Sequence, residues 1–259
     1  MKQLYFLHIP KTAGRTIALN VLEQTKNLDV PIYINNIPPH DVNFSNKVFI
    51  SAHFGTYPII QNPDIDVATV LRDPLDRCLS NFNYLYKLLL KRPEYQQLNG
   101  IKERMLFYLL EDPNFILHQN LQTRFLCNPC DESIFNLSDY LAIENRDKVG
   151  QYLHMRDWFV PDDMSSVEYA KSQINSFKIV GTIEKFNDFA INLYQWFNDN
   201  YGINIIHNEN IKKNVTFNSQ NGKMITTKTL KDMLTSKEYD KILEANSMDM
   251  EVYEYVKQH

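Results

Sequence analysis

An apolar run from Leu4 to Ile9 stops at Pro10, and a helix-forming run begins at Thr16. Only Lys11, Thr12, Ala13, Gly14 and Arg15 separate the two. A strand, a tight loop and a helix start in that order commit the chain's opening to a β–loop–α unit. They also make an anion site. The N–H groups of a first helical turn have no intrahelical partner, point outward, and lie at the positive end of the helix dipole. Lys11 adds a full charge there, and Thr12 and Thr16 add hydroxyl donors. Residues 11–16 therefore read as a phosphate or sulfate loop.

The rest of the chain alternates in the same way. Short apolar runs bounded by turn residues predict buried parallel strands at 3–9, 31–34, 47–52, 66–71 and 177–181. Helices are predicted at 16–26, 75–91, 100–110, 114–126, 137–145, 167–175, 186–200 and 237–256. This order argues for an α/β fold, a doubly wound parallel sheet of about five strands. Segment 93–175 reads as a helical insertion. Segment 208–227 is polar and aperiodic, as expected of a long covering loop. With 259 residues, 44% of them hydrophobic, the chain fits one domain. Ligands of such sheets bind at the carboxyl ends of the strands, where Pro10, His53 and Arg72 all fall.

The order of residues in the first loop narrows the chemistry. A kinase P-loop places glycine before lysine, as G-x-x-x-x-G-K-[ST]. Here Lys11 precedes Gly14, and no glycine lies between the strand and Lys11. The string His8-Ile9-Pro10-Lys11-Thr12-Ala13-Gly14-Arg15-Thr16 instead resembles the 5′-phosphosulfate loop of sulfotransferases that use 3′-phosphoadenosine 5′-phosphosulfate (PAPS). A second segment, Thr69-Val70-Leu71-Arg72-Asp73-Pro74-Leu75, ends a buried strand and opens a helix at Pro74. Arginine can fork onto a phosphate, and a serine hydroxyl can add a bond. Arg72 and Ser80, eight residues apart, resemble the family's 3′-phosphate motif. The structural alternative pairs an arginine with Asp73 or Asp76 at the helix start, a role better suited to Arg77.

A third strand, Val48-Phe49-Ile50-Ser51-Ala52, ends at His53, and this position resembles the catalytic histidine of the uronosyl 2-O-sulfotransferases. Ala52 stands where that group has glycine. Histidine titrates near working pH and suits a general base. The competing role is a strand-end histidine bonded to backbone. His8 reads as a packed structural residue. Segment 120–126 resembles a helix near the family's acceptor cleft, with Arg124 as an acceptor contact, and 180–186 resembles its last strand–helix junction. Lys212, Lys213 and Lys223 fall in the covering loop, where they either face the cofactor or are solvated.

The resemblance implies a P-loop-like fold and a PAPS-dependent sulfotransferase that releases adenosine 3′,5′-bisphosphate and needs no metal. Lys11 would stabilise the bridging oxygen, residues 12–16 the 5′-phosphate, and Arg72 with Ser80 the 3′-phosphate. His53 would take the acceptor proton. Arg15 stands where the family carries a small or hydroxyl residue, and either contacts the phosphosulfate or points outward. The acceptor implied is a hydroxyl, or an amine, of a small natural product or saccharide.

Composition removes other partners. A net charge of −4 argues against nucleic acid and long polyanions. The first strand begins almost at Met1, so neither a signal peptide nor a membrane anchor is expected. Three sparse cysteines suit a reducing cytoplasm, in which sequons at Asn43, Asn136 and Asn214 carry no meaning. Cys127 and Cys130 have the spacing of a metal or redox pair but follow a helix and lack a second pair; they read as incidental thiols. Phe82, Tyr84 and Tyr86 read mostly as core. The rival functions are a kinase with an unusual phosphate loop, using Mg²⁺ and ATP, and a non-catalytic module that binds adenosine 3′,5′-bisphosphate.

Overall fold

All five apolar runs form strands: β1 (Leu4–Leu7), β2 (Ile32–Asn35), β3 (Phe49–Ala52), β4 (Asp66–Leu71) and β5 (Ile179–Thr182). The computed structural model describes residues 1–35, 44–89, 119–127, 164–207, 231–232 and 234–259. The strands pair in parallel in the order β2-β3-β1-β4-β5. From β1 the chain goes first to the edge strand β2, returns to β3 beside β1, and then crosses to β4 and β5 on the other side. β1 thus flanks the topological switch point, and its carboxyl end faces the crevice where α/β sheets bind ligands.

Successive side chains alternate between faces, so each strand feeds two cores. Leu4, Phe6, Phe49, Ala68 and Val70 pack under α1 (Gly14–Thr25) and α6 (Phe186–Tyr201), against Ile17, Val21, Phe189, Leu193 and Phe197. Tyr5, Leu7, Ile50, Ala52, Val67 and Leu71 face the opposite layer. That layer comprises α3 (Pro74–Leu89), α4 (Leu121–Cys127), α5 (Met164–Ser176), α7 (Ser236–Glu244) and α8 (Ser247–Gln258). A short α2 (Tyr57–Gln61), not foreseen in the sequence, links β3 to β4. Phe82 is core, as expected.

Helix boundaries differ from expectation in several places; α5, expected at 167–175, spans Met164–Ser176. The expected helix 237–256 is two helices. Asn246, buried between them at φ −123°, donates from Nδ2 to the Ile242 carbonyl and so closes α7 with a side chain. Thr235 and Glu238 form a capping box that starts α7. Of the expected helix 114–126, residues 114–118 lie outside the described residues, and the helix α4 seen from Leu121 follows Asn120 at a left-handed φ of 44°. The first helix starts two residues early, at Gly14. The expected helices 100–110 and 137–145, most of the insertion 93–175, and the loop 208–227 with Lys212, Lys213 and Lys223 lie outside the described residues. So do Cys130, Asn43, Asn136, Asn214 and the side chains of Tyr84 and Tyr86. No helix among the described residues is long and apolar enough to cross a membrane.

Candidate active site

The loop after β1 is built on two left-handed residues that are not glycine, Lys11 (φ 73°) and Ala13 (φ 63°). Left-handed turns curl successive N–H groups to one side and make an anion-binding concavity. The amides of Ala13, Gly14 and Arg15 make no hydrogen bond among the described residues. The Thr16 amide donates to the Ala13 carbonyl at 2.9 Å, and Thr16 itself is almost fully buried. Thr12 corrects the sequence reading. It is 0% exposed, and its hydroxyl and amide both donate to the Ile9 carbonyl, at 2.8 and 3.4 Å. Its side chain stabilises the turn instead of facing out. Arg15 is exposed at the start of α1 and makes no ion pair among the described residues.

Gly14 is explained by a neighbour. A Cβ there would lie 2.0 Å from Cδ2 of His8, so only glycine lets the imidazole lie against the helix start. The His8 ring stacks on Phe6 at a centroid distance of 5.8 Å and lies tilted against His53 at 4.3 Å. Burial, then His53 and Lys11, hold its pKa well below the ordinary histidine value. His8 is thus the packed residue expected from its place before the loop.

His53 follows β3, level with His8. Its ring is 7% exposed and lies edge-on to Phe125. Nδ1 contacts the His8 carbonyl. A carbonyl only accepts, so Nδ1 carries the proton and Nε2 the lone pair. Burial pulls the pKa down to about 4, opposed by the contact with the His8 carbonyl, so the ring is neutral at neutral pH. The backbone bond that competed with the base role is therefore present, and it leaves the tautomer that a base requires.

Lys11 and Arg72 come together at the ends of β1 and β4. Arg72 Nη1 donates to the Lys11 carbonyl at 3.3 Å. Burial, then repulsion from Arg72, lowers the Lys11 pKa to about 8. The Arg72 guanidinium has no ion-pair partner among the described residues. Asp73 instead caps α3, its Oδ1 accepting from the Asp76 amide at 2.9 Å. Arg77 also departs from expectation. Its partner is neither Asp73 nor Asp76 but Asp249 on α8, with Nε 3.8 Å from Oδ2 and both side chains fully buried. Ser80 sits two turns into α3, half-buried, its hydroxyl making no hydrogen bond among the described residues. Arg124, expected at the acceptor, is 3% exposed and donates from Nε to the Gln119 carbonyl at 3.1 Å, bracing the turn before α4.

A loop with three unbonded amides, next to two half-buried cations, fits an anionic ligand. The model of the sulfotransferase family matches residues 1–256. The chain belongs to the sulfotransferase family. No curated protein matches it.

In this sulfotransferase two residues essential to the geometry were missed in the sequence. Gln122 bonds the backbone of Arg72 through both ends of its amide, and Asp249 holds the amides of Gln122 and Thr123. Gln122 lies within the segment that resembled the family, but nothing in its neighbours pointed to Arg72. Asp249 sits in an ordinary amphipathic helix and carried no signal at all.

Proposed function

We propose that this sulfotransferase takes its sulfuryl group from PAPS and passes it to a hydroxyl, or an amine, of a small natural product or short saccharide. The observation that carries the reading is the Lys11–Arg72 pair. Like charges placed side by side in a partly desolvated site call for an anion between them. PAPS, when bound, supplies an activated sulfuryl group and a good leaving group, adenosine 3′,5′-bisphosphate.

The chain's own residues would orient and neutralise. The amides of Ala13, Gly14 and Arg15, with the Thr16 hydroxyl, would hold the 5′-phosphate. Lys11 Nζ would counter charge growing on the bridging oxygen as its bond to sulfur breaks. Arg72 and Ser80 would hold the 3′-phosphate and so exclude nucleotides that lack it. His53 Nε2 would accept the acceptor's proton as the new bond to sulfur forms. An anionic donor nearby favours the imidazolium and lifts the low pKa of the free ring. As in phosphoryl transfer, positioning and charge neutralisation do most of the work. We also propose a single domain, with its helical insertion at 93–175 and covering loop at 208–227, working in the cytoplasm. The free thiols of Cys78 and Cys127 support that compartment, and cell fractionation that finds the protein elsewhere refutes it.

Calorimetry with adenosine 3′,5′-bisphosphate, AMP and ATP tests the donor. The bisphosphate is expected to bind at least about tenfold tighter than AMP, as one charge-assisted phosphate contact requires. Arg72→Ala is expected to erase that advantage. Equal binding of bisphosphate and AMP, or an advantage that survives Arg72→Ala, defeats the reading. Metal-dependent ATP turnover would instead favour a kinase. For the base, His53→Ala is expected to keep bisphosphate binding and lose about 10²–10⁴-fold in sulfate transfer from labelled PAPS. Undiminished transfer removes His53 from the mechanism. Tight bisphosphate binding with no transfer to any component of a metabolite extract would mark a non-catalytic module.

A further inference from the structure

We propose that Gln122 is a positioning residue that aims Arg72 at the 3′-phosphate, an inference that rests on the PAPS reading above. β4 makes its last register pair with β1 at Ala68 and with β5 at Leu71. Arg72 lies one residue beyond, where no neighbouring strand remains to satisfy its peptide. Gln122 fills that place. Its Oε1 accepts from the Arg72 amide and its Nε2 donates to the Arg72 carbonyl, each at 2.9 Å. A primary amide presents the same donor and acceptor as a peptide, so one side chain acts as a single residue of missing strand.

The clamp is itself anchored. Gln122 is 0% exposed in the first turn of α4. Its amide donates to Asp249 Oδ2 at 3.1 Å, and the Thr123 amide and hydroxyl donate to Oδ1 at 2.7 and 2.9 Å. The Asp249 amide in turn donates to Asn120 Oδ1 at 3.2 Å. Asp249 lies on α8 and pairs with Arg77 on α3. The backbone of Arg72 is therefore tied to α3, α4 and α8 at once. At its far end the guanidinium is bonded to the Lys11 carbonyl at 3.3 Å. An arginine side chain carries roughly 2 kcal/mol of rotamer entropy. Fixing the peptide at its root restricts where the fork can reach, so ligand binding has less freedom left to remove.

Gln122→Met keeps the volume of the side chain and removes both hydrogen bonds. It is expected to lower the affinity ratio of adenosine 3′,5′-bisphosphate over AMP about tenfold, with AMP affinity unchanged within about twofold. Amide exchange at Arg72 should accelerate in the same variant. A merely structural role would lower the melting temperature and leave the ratio alone. If Gln122→Met does not fold, Gln122→Glu carries the same comparison, since it keeps the acceptor for the Arg72 amide and loses only the donor. A folded variant of either kind with the wild-type ratio overturns the inference. A wild-type protein that shows no preference for the 3′-phosphate overturns the PAPS reading instead, so the two failures are distinct.

Discussion

Lys11→Met is expected to slow sulfate transfer about 10²–10³-fold while leaving the protein at least as stable as the wild type at pH 7. Both halves follow from where Lys11 sits. Its charge is partly desolvated and faces Arg72, and the two effects lower its pKa to about 8. A charge held in such a place acts strongly on an oxygen that gains charge during the reaction. In the free protein the same charge is a liability. The folded pKa lies below the unfolded value of about 10.5, so between these values the unfolded chain binds more protons. Stability then rises with pH across that window, and below it the full cost of the charge is present. The stability gap between Lys11→Met and wild type should therefore close as pH rises from about 8 to about 10.5. Donor binding by wild type should weaken above about pH 8 as Lys11 loses its proton, and Arg72→Ala should move that limb upward. Transfer from labelled PAPS and thermal melts across pH check these outcomes. A Lys11→Met protein that transfers sulfate at the wild-type rate sinks the assignment.

Asp249→Ala carries the largest expected loss of stability. The carboxylate accepts two backbone amides and one hydroxyl at the start of α4, and it faces the fully buried Arg77. Burial lowers the Arg77 pKa, with a smaller push in the same direction from Arg72, and Asp249 is the main group opposing it. Removing one member of a buried pair leaves the other uncompensated, at about 3–5 kcal/mol, and includes the loss of a helix cap worth about 1 kcal/mol. For a domain of this size that lowers the melting temperature by about 10 °C. Replacing both charges, as Arg77→Met with Asp249→Leu, should be less damaging than Asp249→Ala alone, because no unpaired charge stays buried. Melts of the single and double variants decide it. A drop below about 2 °C for Asp249→Ala would show that α4 is held some other way.

Where local chemistry decides, the sequence was a good guide. The five apolar runs became the five strands, and the residue order from Leu4 to Thr16 became a strand, a left-handed loop and a helix start. Gly202 ends α6 at φ 65°, two residues past the expected end at 200. Failures cluster where a distant partner intervenes. The break at Asn246 depends on a side chain bonding back to Ile242 within a buried corner. Helix periodicity continues across it and hides it. The start of α4 at Leu121 depends on Asn120 and on Asp249, which stands 127 residues from Gln122. Thr12 reads as a donor to an anion by type, yet the turn itself takes both its hydrogens.

The sequence by itself determined the β–loop–α unit, the parallel sheet and the two motifs at Lys11 and Arg72. Each rests on turn chemistry and periodicity within a few residues. The tertiary structure alone decided that Lys11 and Arg72 meet, that His53 is neutral with Nε2 as its acceptor, and that Gln122 roots Arg72 from 50 residues away. Burial sets those pKa values and long-range hydrogen bonds set that aim. Both exist only once segments far apart in the chain have packed together.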